Sequence, residues 1–348
     1  MMKRGKSELY QRGLTLVELM VALAIAFIVI GAVYQAFTSQ QRTYTIQDQV
    51  AEAQQNARVA MNILMRDLRM AGFGRPEGDV EIGDPKERYS HSIEVENDPD
   101  PEHDGSSIIT LVGCFGSPKG YLTRTADEGE TQIVVRSTGN ELDDIFDPDR
   151  SNYIFIGGME RLRVEDAPGS DQGTLTLNGP LFKRYPTGVL SASIEAGATQ
   201  IPLRSTAGLR AEDILFLGQD RLIVRDVGTD TLTIDTNPDE AGNQGISESY
   251  PMETYVNPIP IYRLTALRYY IDSDPGSGYL VLRRHDMVEG NRTLAENIQE
   301  LRVDPGDDDQ PLYEIRLTAR TRVKDPDYLE NEGFRTRVLE SQVRLRNL

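Results

Sequence analysis

From Leu14 to Phe37 the chain is uncharged and mostly apolar, with a single exception, the carboxylate of Glu18. A helix rises about 1.5 Å per residue and a bilayer core is about 30 Å thick, so a run of this length predicts a helix that can span a membrane. Beyond Phe37 the pattern becomes amphipathic, and no Pro or Gly interrupts it. Ile46, Val50, Ala53, Ala57, Ala60, Leu64, Leu68 and Ala71 recur at steps of three or four, one stripe of a 3.6-residue helix. Arg42, Asp48, Glu52, Arg58, Arg66 and Asp67 read as lying largely off the stripe. Gly72 supplies the left-handed residue that ends helices. The pattern predicts one helix from Leu14 to Ala71, residues 14–37 in a membrane and 38–72 laid on a folded body. The small residues of the stripe would let that body approach closely.

From Gly74 to Ser107 the sequence reads as a loop-rich connector, with Arg75-Pro76-Glu77-Gly78, Asp84-Pro85 and the segment 97–105 as turns. Strand-like runs follow at Ile108–Val112, Gln132–Arg136, Tyr153–Ile156, Leu162–Glu165 and Thr174–Leu177. Residues 192–235 form a compact succession of short strands, which predicts an all-β module, at about 188–236, inserted in a larger sheet domain of residues 73–348. In the last third, Ile261–Asp272, Tyr279–Arg284, Ile298–Val303, Leu312–Val323 and Arg335–Leu348 alternate apolar and polar positions, as antiparallel strands with one covered face do. In Leu312–Val323 the face to be covered is Ile315, Leu317, Ala319, Thr321 and Val323. The expected fold class is α+β: a long N-terminal helix packed on an antiparallel sheet, with an inserted all-β module.

Charge orients this arrangement. The 348-residue chain carries a formal net charge of -18, yet its first thirteen residues hold Lys3, Arg4, Lys6 and Arg12 against Glu8. A basic flank before an apolar span predicts a cytoplasmic N-terminus and places the acidic bulk on the other side. Acidity of that degree disfavours nucleic acid as a partner, because phosphate contacts need clustered cations. Cys114 is the sole cysteine, so an internal disulfide is excluded, and it reads as a small buried hydrophobe beside a strand. His91, His103 and His285 are the only imidazoles, and none has a metal-ligand spacing or a neighbouring nucleophile. Gly116-Ser117-Pro118-Lys119-Gly120 lacks the form of a nucleophile elbow. The acidic segment 97–105 superficially resembles a calcium loop, but two prolines break its oxygen spacing, and a solvated turn is the better reading. The chain is expected to be no enzyme and to hold no cofactor or metal.

A secretory signal would place a cleavage site after its apolar core. Here a Lys/Arg leader is followed by Gly13, then Leu14-Thr15-Leu16-Val17-Glu18 and the apolar run. That order resembles the leader of type IV prepilins and of the pseudopilins of type II secretion. The resemblance implies cleavage by a prepilin peptidase between Gly13 and Leu14, methylation of the new N-terminus, and Glu18 as fifth residue of the mature chain. It also implies that Glu18 meets the N-terminal amine of a neighbouring subunit. Leu14 departs from the pattern, which most often has Phe there. An ionised carboxylate within a membrane is costly and is normally paired or functional, which agrees with such a role.

Further stretches narrow the resemblance. Gln40-Gln41-Arg42-Thr43-Tyr44, residues 50–58 and 67–73, Leu267–Asp272, Leu294–Leu301 and Val343–Asn347 are similar to PilW-type minor pilins. The resemblance covers both ends of the chain and leaves residues 110–255 without a counterpart. It implies a minor pilin, held by one span in the inner membrane and later on the pilus or cell surface, that primes type IV pilus assembly. The implied partners are other minor and major pilins, the prepilin peptidase, the inner-membrane assembly platform and a tip adhesin. A J-type pseudopilin of type II secretion fits the same pattern, and a membrane-tethered adhesin, with residues 110–255 as its binding part, is an alternative of a different class.

Overall fold

The computed structural model describes residues 15–103, 105–235, 246–305 and 312–345. Its first element is a single helix, Leu16–Met70, about 82 Å long at 1.5 Å per residue. The chain divides into two compact units, and the helix belongs to both: one unit holds the residues up to Gln55 with Arg320–Arg337, the other Asn56–Ala319 with Val338–Leu348.

In the second unit the helix stripe is covered. Ala57, Ala60, Leu64, Leu68 and Ala71 have no exposed surface. The helix ends as its sequence dictates, with Gly72 in the left-handed region at φ 80° and its N–H donated to the Val112 carbonyl at 2.8 Å. Close approach there depends on a second glycine. A Cβ added to Gly113 would lie 2.9 Å from the Met70 carbonyl oxygen.

The sheet beneath this end is antiparallel and five-stranded, in the order Gly290–Glu296, Leu280–Asp286, Thr265–Ser273, Ser107–Gly113, Ile93–Asn97. A three-stranded sheet, Ile298–Pro305, Leu312–Arg320 and Thr336–Arg344, continues the chain. The middle of the sequence builds two bodies with cores of their own. One is a closed six-stranded barrel of Pro260–Arg263, Gly120–Leu122, Gln132–Ser137, Gln172–Leu177, Glu160–Asp166 and Tyr153–Ile156. Leu142, Ile145 and Phe146, from the short helix Leu142–Ile145 and the residue after it, join its interior. The other is a four-stranded antiparallel sheet, Gln200–Pro202, Thr231–Ile234, Asp220–Val227 and Ile214–Leu217, above the pair Gly188–Val189 and Tyr255–Val256. Leu190, Leu215, Leu222, Leu232, Tyr250 and Val256 share its core. A long N-terminal helix followed by a β-rich body with an extra β module is a pilin-like α+β fold.

Several local expectations change. The connector 74–107 contains three strands, Val80–Ile82, Glu87–Tyr89 and Ile93–Asn97. The first two form a hairpin too short to show a period, and the third takes its hydrogen bonds from the sheet edge offered by Ser107–Gly113. The run Ile261–Asp272 is two strands, parted at the buried Leu264: Pro260–Arg263 closes the barrel and Thr265–Ser273 is the middle of the five-stranded sheet. Gly290–Glu296, which had no place in the sequence pattern, pairs with Leu280–Asp286. The strand from Leu312 stops at Arg320, so Ile315, Leu317, Ala319 and Thr321 are buried whereas Val323 is 58% exposed. His103, in the segment read as a solvated turn, is buried with its Nδ1 3.2 Å from an Asp98 carboxylate that is itself buried.

Candidate functional site

The head of the apolar helix is the most defined of the candidate positions. Thr15 precedes the first helical residue, and Glu18 stands three places on. The Thr15 N–H and hydroxyl both donate to Glu18 Oε2, at 2.9 and 3.0 Å, and the Glu18 N–H donates to the Thr15 hydroxyl at 3.3 Å. This is a capping box: each side chain accepts a hydrogen bond from the other's backbone amide, satisfying donors that a helix start leaves unpaired. Glu18 is thereby held at the helix head by its own neighbour. Among the described residues its Oε1 has no hydrogen bond. Thr15 was absent from the site expected from sequence, although the spacing Thr15-x-x-Glu18 carries the signal. Gly13 and Leu14 lie outside the described residues.

Past this cap the helix is bare. Its most apolar stretch is 0% buried, and Leu16, Phe27 and Ile28 are 74%, 71% and 72% exposed. Apolar surface on this scale needs cover from lipid or from other chains. It fits a single-pass membrane anchor.

The other end of the helix is fastened by a buried polar cluster. Asp67, read from its charge as facing outward, is 2% exposed. Its Oδ2 accepts the Tyr269 hydroxyl at 2.6 Å and Arg284 Nε at 3.0 Å, and its Oδ1 accepts Arg66 Nε at 3.1 Å. Tyr269 and Arg284 stand opposite each other on adjacent strands, so the sheet register presents both to one carboxylate. Burial first, and then the neighbouring Asp67 charge, push the Tyr269 phenol well above its usual range. The cluster positions the helix and offers no nucleophile.

Little else has the form of a reactive centre. Cys114 is fully buried among Val80, Val112, Phe155 and Leu264, and burial pushes its thiol up to about 12. A thiol so placed is a packing residue. Among the described residues no group of three or more His, Cys, Asp or Glu is placed to hold a metal ion.

Comparison with known proteins adds one finding. No curated protein and no solved structure matches the chain. Residues 9–34 match the prokaryotic N-terminal methylation motif, the segment that holds Gly13, Leu14, the capping box of Thr15 and Glu18, and the first half of the bare helix. That motif, at the head of an exposed apolar helix followed by a β-rich body, supports a type IV pilin-like or pseudopilin protein, a kind that is typically structural.

Proposed function

We propose that the chain is a PilW-like minor pilin that primes assembly of a type IV pilus. The observation that carries this reading is the conjunction, within residues 9–34, of the methylation motif, a carboxylate fixed at the helix head and an apolar surface that the described residues leave bare. Prepilin peptidase cleaves between Gly13 and Leu14, and the new amine is methylated. The chain waits in the inner membrane with its basic leader on the cytoplasmic side and its acidic bulk opposite. On assembly, the bare helix exchanges lipid for the helices of other pilins. In a low-dielectric filament core a carboxylate is stable only when paired, and the terminal amine of a neighbour is the partner that satisfies Glu18.

Glu18→Ala tests the role of that carboxylate. Membrane insertion should be retained, since the rest of the span is untouched, while pilus number falls severely; normal piliation would overturn it. Mass spectrometry of the mature chain tests the processing: a methylated Leu14 at the N-terminus supports the pilin route, and an intact Met1 rejects it.

A second role, binding, is favoured by the two β bodies, each of which closes its own core. The pairing of Gly188–Val189 with Tyr255–Val256 brings the two ends of the four-stranded module together. Residues 190–254 can therefore be replaced by a short turn. Loss of adhesion with pili still present would favour a displayed binding module, and loss of pili a scaffold.

A further inference from the structure

The unit that holds the apolar span also holds the loop after Arg320, and the hydrogen bonds between them give the helix the use of a ruler. The loop leaves its sheet at Thr321 and returns at Arg335, closed at its neck by the Thr321 N–H to the Arg335 carbonyl at 2.9 Å and by Arg335 Nε and Nη2 on Asp325 Oδ2 at 2.9 and 2.7 Å. Arg320 and Lys324 lie over the Phe334 ring, and Arg335 over the Tyr328 ring. The loop is thus a built element with its own packing.

Two contacts set its direction. The Val323 N–H donates to Gln49 Oε1 at 3.1 Å, and Arg42 Nη1 meets Asp327 Oδ2 at 3.3 Å. Gln49 and Arg42 are seven positions apart, so between Val323 and Asp327 the loop descends about 10 Å along the helix toward the apolar span. Tyr328 and Leu329 come next in the chain. Leu329 is 94% exposed, more than any other large apolar side chain among the described residues.

Depth follows from the same rise. Arg42 lies five positions beyond Phe37, about 7.5 Å past the end of the apolar run, and the polar layer of a bilayer adds roughly 5–8 Å to each side of its core. The Arg42–Asp327 pair therefore stands at headgroup level if the span lies in a membrane. Between loop and helix is a cavity of about 700 Å³ lined by Thr38, Ser39, Arg42, Asp325, Asp327 and Arg335, a polar mixture of both charges. Arg42 and Asp327 are 56% and 76% exposed, so their mutual ion pair is weak and open to competition. From Thr321 to Arg335 the loop carries four carboxylates against three cations, which gives an anionic surface nothing to attract it.

We propose that the loop Thr321–Arg335 is a membrane-surface contact, with Leu329 in the interfacial layer and the Arg42–Asp327 pair taking the phosphate and ammonium of a zwitterionic phospholipid headgroup. The loop would thereby fix how deep the anchor sits and hold the start of the soluble chain at the bilayer. This rests on the reading of Leu16–Phe37 as a membrane anchor.

The experiment is depth-resolved fluorescence quenching of the full chain in bilayer nanodiscs of phosphatidylcholine and phosphatidylethanolamine, with lipids brominated near the headgroup or deep in the acyl chain. Single labels go on Leu329→Cys, Ile28→Cys and Glu52→Cys; the buried Cys114 thiol does not compete for the label. Glu52 lies about 22 Å beyond Phe37 and should be unquenched. The expected result is deep quenching at 28 and shallow quenching at 329 at least about threefold above that at 52, as interfacial burial requires. Adding Arg42→Ala should lower the signal at 329. Quenching at 28 with none at 329 overturns the loop contact while the anchor stands. No quenching at 28 overturns the anchor and the contact together. Quenching at 329 that appears only when anionic phosphatidylglycerol is included overturns the zwitterionic headgroup assignment.

Discussion

The two ends of the long helix share a secondary structure and little else. Near its start, Leu16, Leu23 and Ile28 face outward at 74%, 50% and 72% exposure, while near its end Ala57, Ala60, Leu64 and Leu68 have no exposed surface at all. Apolar composition is higher in the exposed end, so hydrophobicity by itself does not decide what the protein buries in its own core. The covered end has small residues on a narrow stripe and a sheet to meet them; the bare end is apolar all round, the signature of a helix whose solvent is lipid or other helices. The difference separates two tasks, with fold stability residing in the second end and, in the first, a surface that fits a membrane anchor.

Substitutions can break this division or sharpen it. The largest effect is expected from Asp67→Ala, which leaves the partly buried Arg284 without its counter-charge and the buried Tyr269 hydroxyl without its acceptor; chemical denaturation in detergent should show a loss approaching about 3–5 kcal/mol, the cost of breaking a buried pair. Leu64→Ala should cost about 2–5 kcal/mol by the cavity it opens, whereas Leu23→Ala should leave the unfolding midpoint of the soluble body unchanged. An equal loss from Leu23→Ala would erase the distinction between the ends.

Alkaline pH probes the buried end alone. The Tyr269 phenol, 10.0 in solution, is held higher in the fold, so its contribution is fully present below about pH 10. It is lost as pH rises further, because the unfolded chain releases a proton that the folded one keeps. Urea denaturation above pH 10 should show wild-type stability falling faster than that of Tyr269→Phe, by about 1.4 kcal/mol per pH unit. Parallel slopes would mean that the phenol ionises freely in the fold. The smallest effect belongs to the capping box: Thr15→Ala should loosen the helix head by about 1 kcal/mol, read as faster amide hydrogen exchange at the first turn with no change in the soluble body.

Much of this architecture is legible without coordinates. The apolar run, the stripe from Ile46 to Ala71 and the stop at Gly72 follow from period and from glycine's backbone freedom. The strands at Tyr153–Ile156 and Thr231–Ile234 fall where alternation and turn residues place them. Thr15-x-x-Glu18 is a local hydrogen-bonding pattern and could be read directly. Each of these depends on residues within a few positions of one another.

What escaped the sequence depended on partners far along the chain. By spacing, Asp67 lies on the stripe, three places after Leu64 and four before Ala71; its charge argued for solvent, and only Tyr269 and Arg284, some two hundred residues away, supply the bonds that make burial tolerable. The stretch 260–273 is one uninterrupted β pattern, and nothing local marks Leu264 as the point where the chain leaves a barrel for a sheet. Val323 continues the alternation of its strand on paper, but beyond Arg320 the chain turns along the helix instead. Sequence by itself determined which segments are helix or strand and which surface would seek cover, because period and polarity are local properties. The tertiary structure decided who provides the cover, because pairing is settled by long-range packing and by whether each buried polar group can find its counterpart.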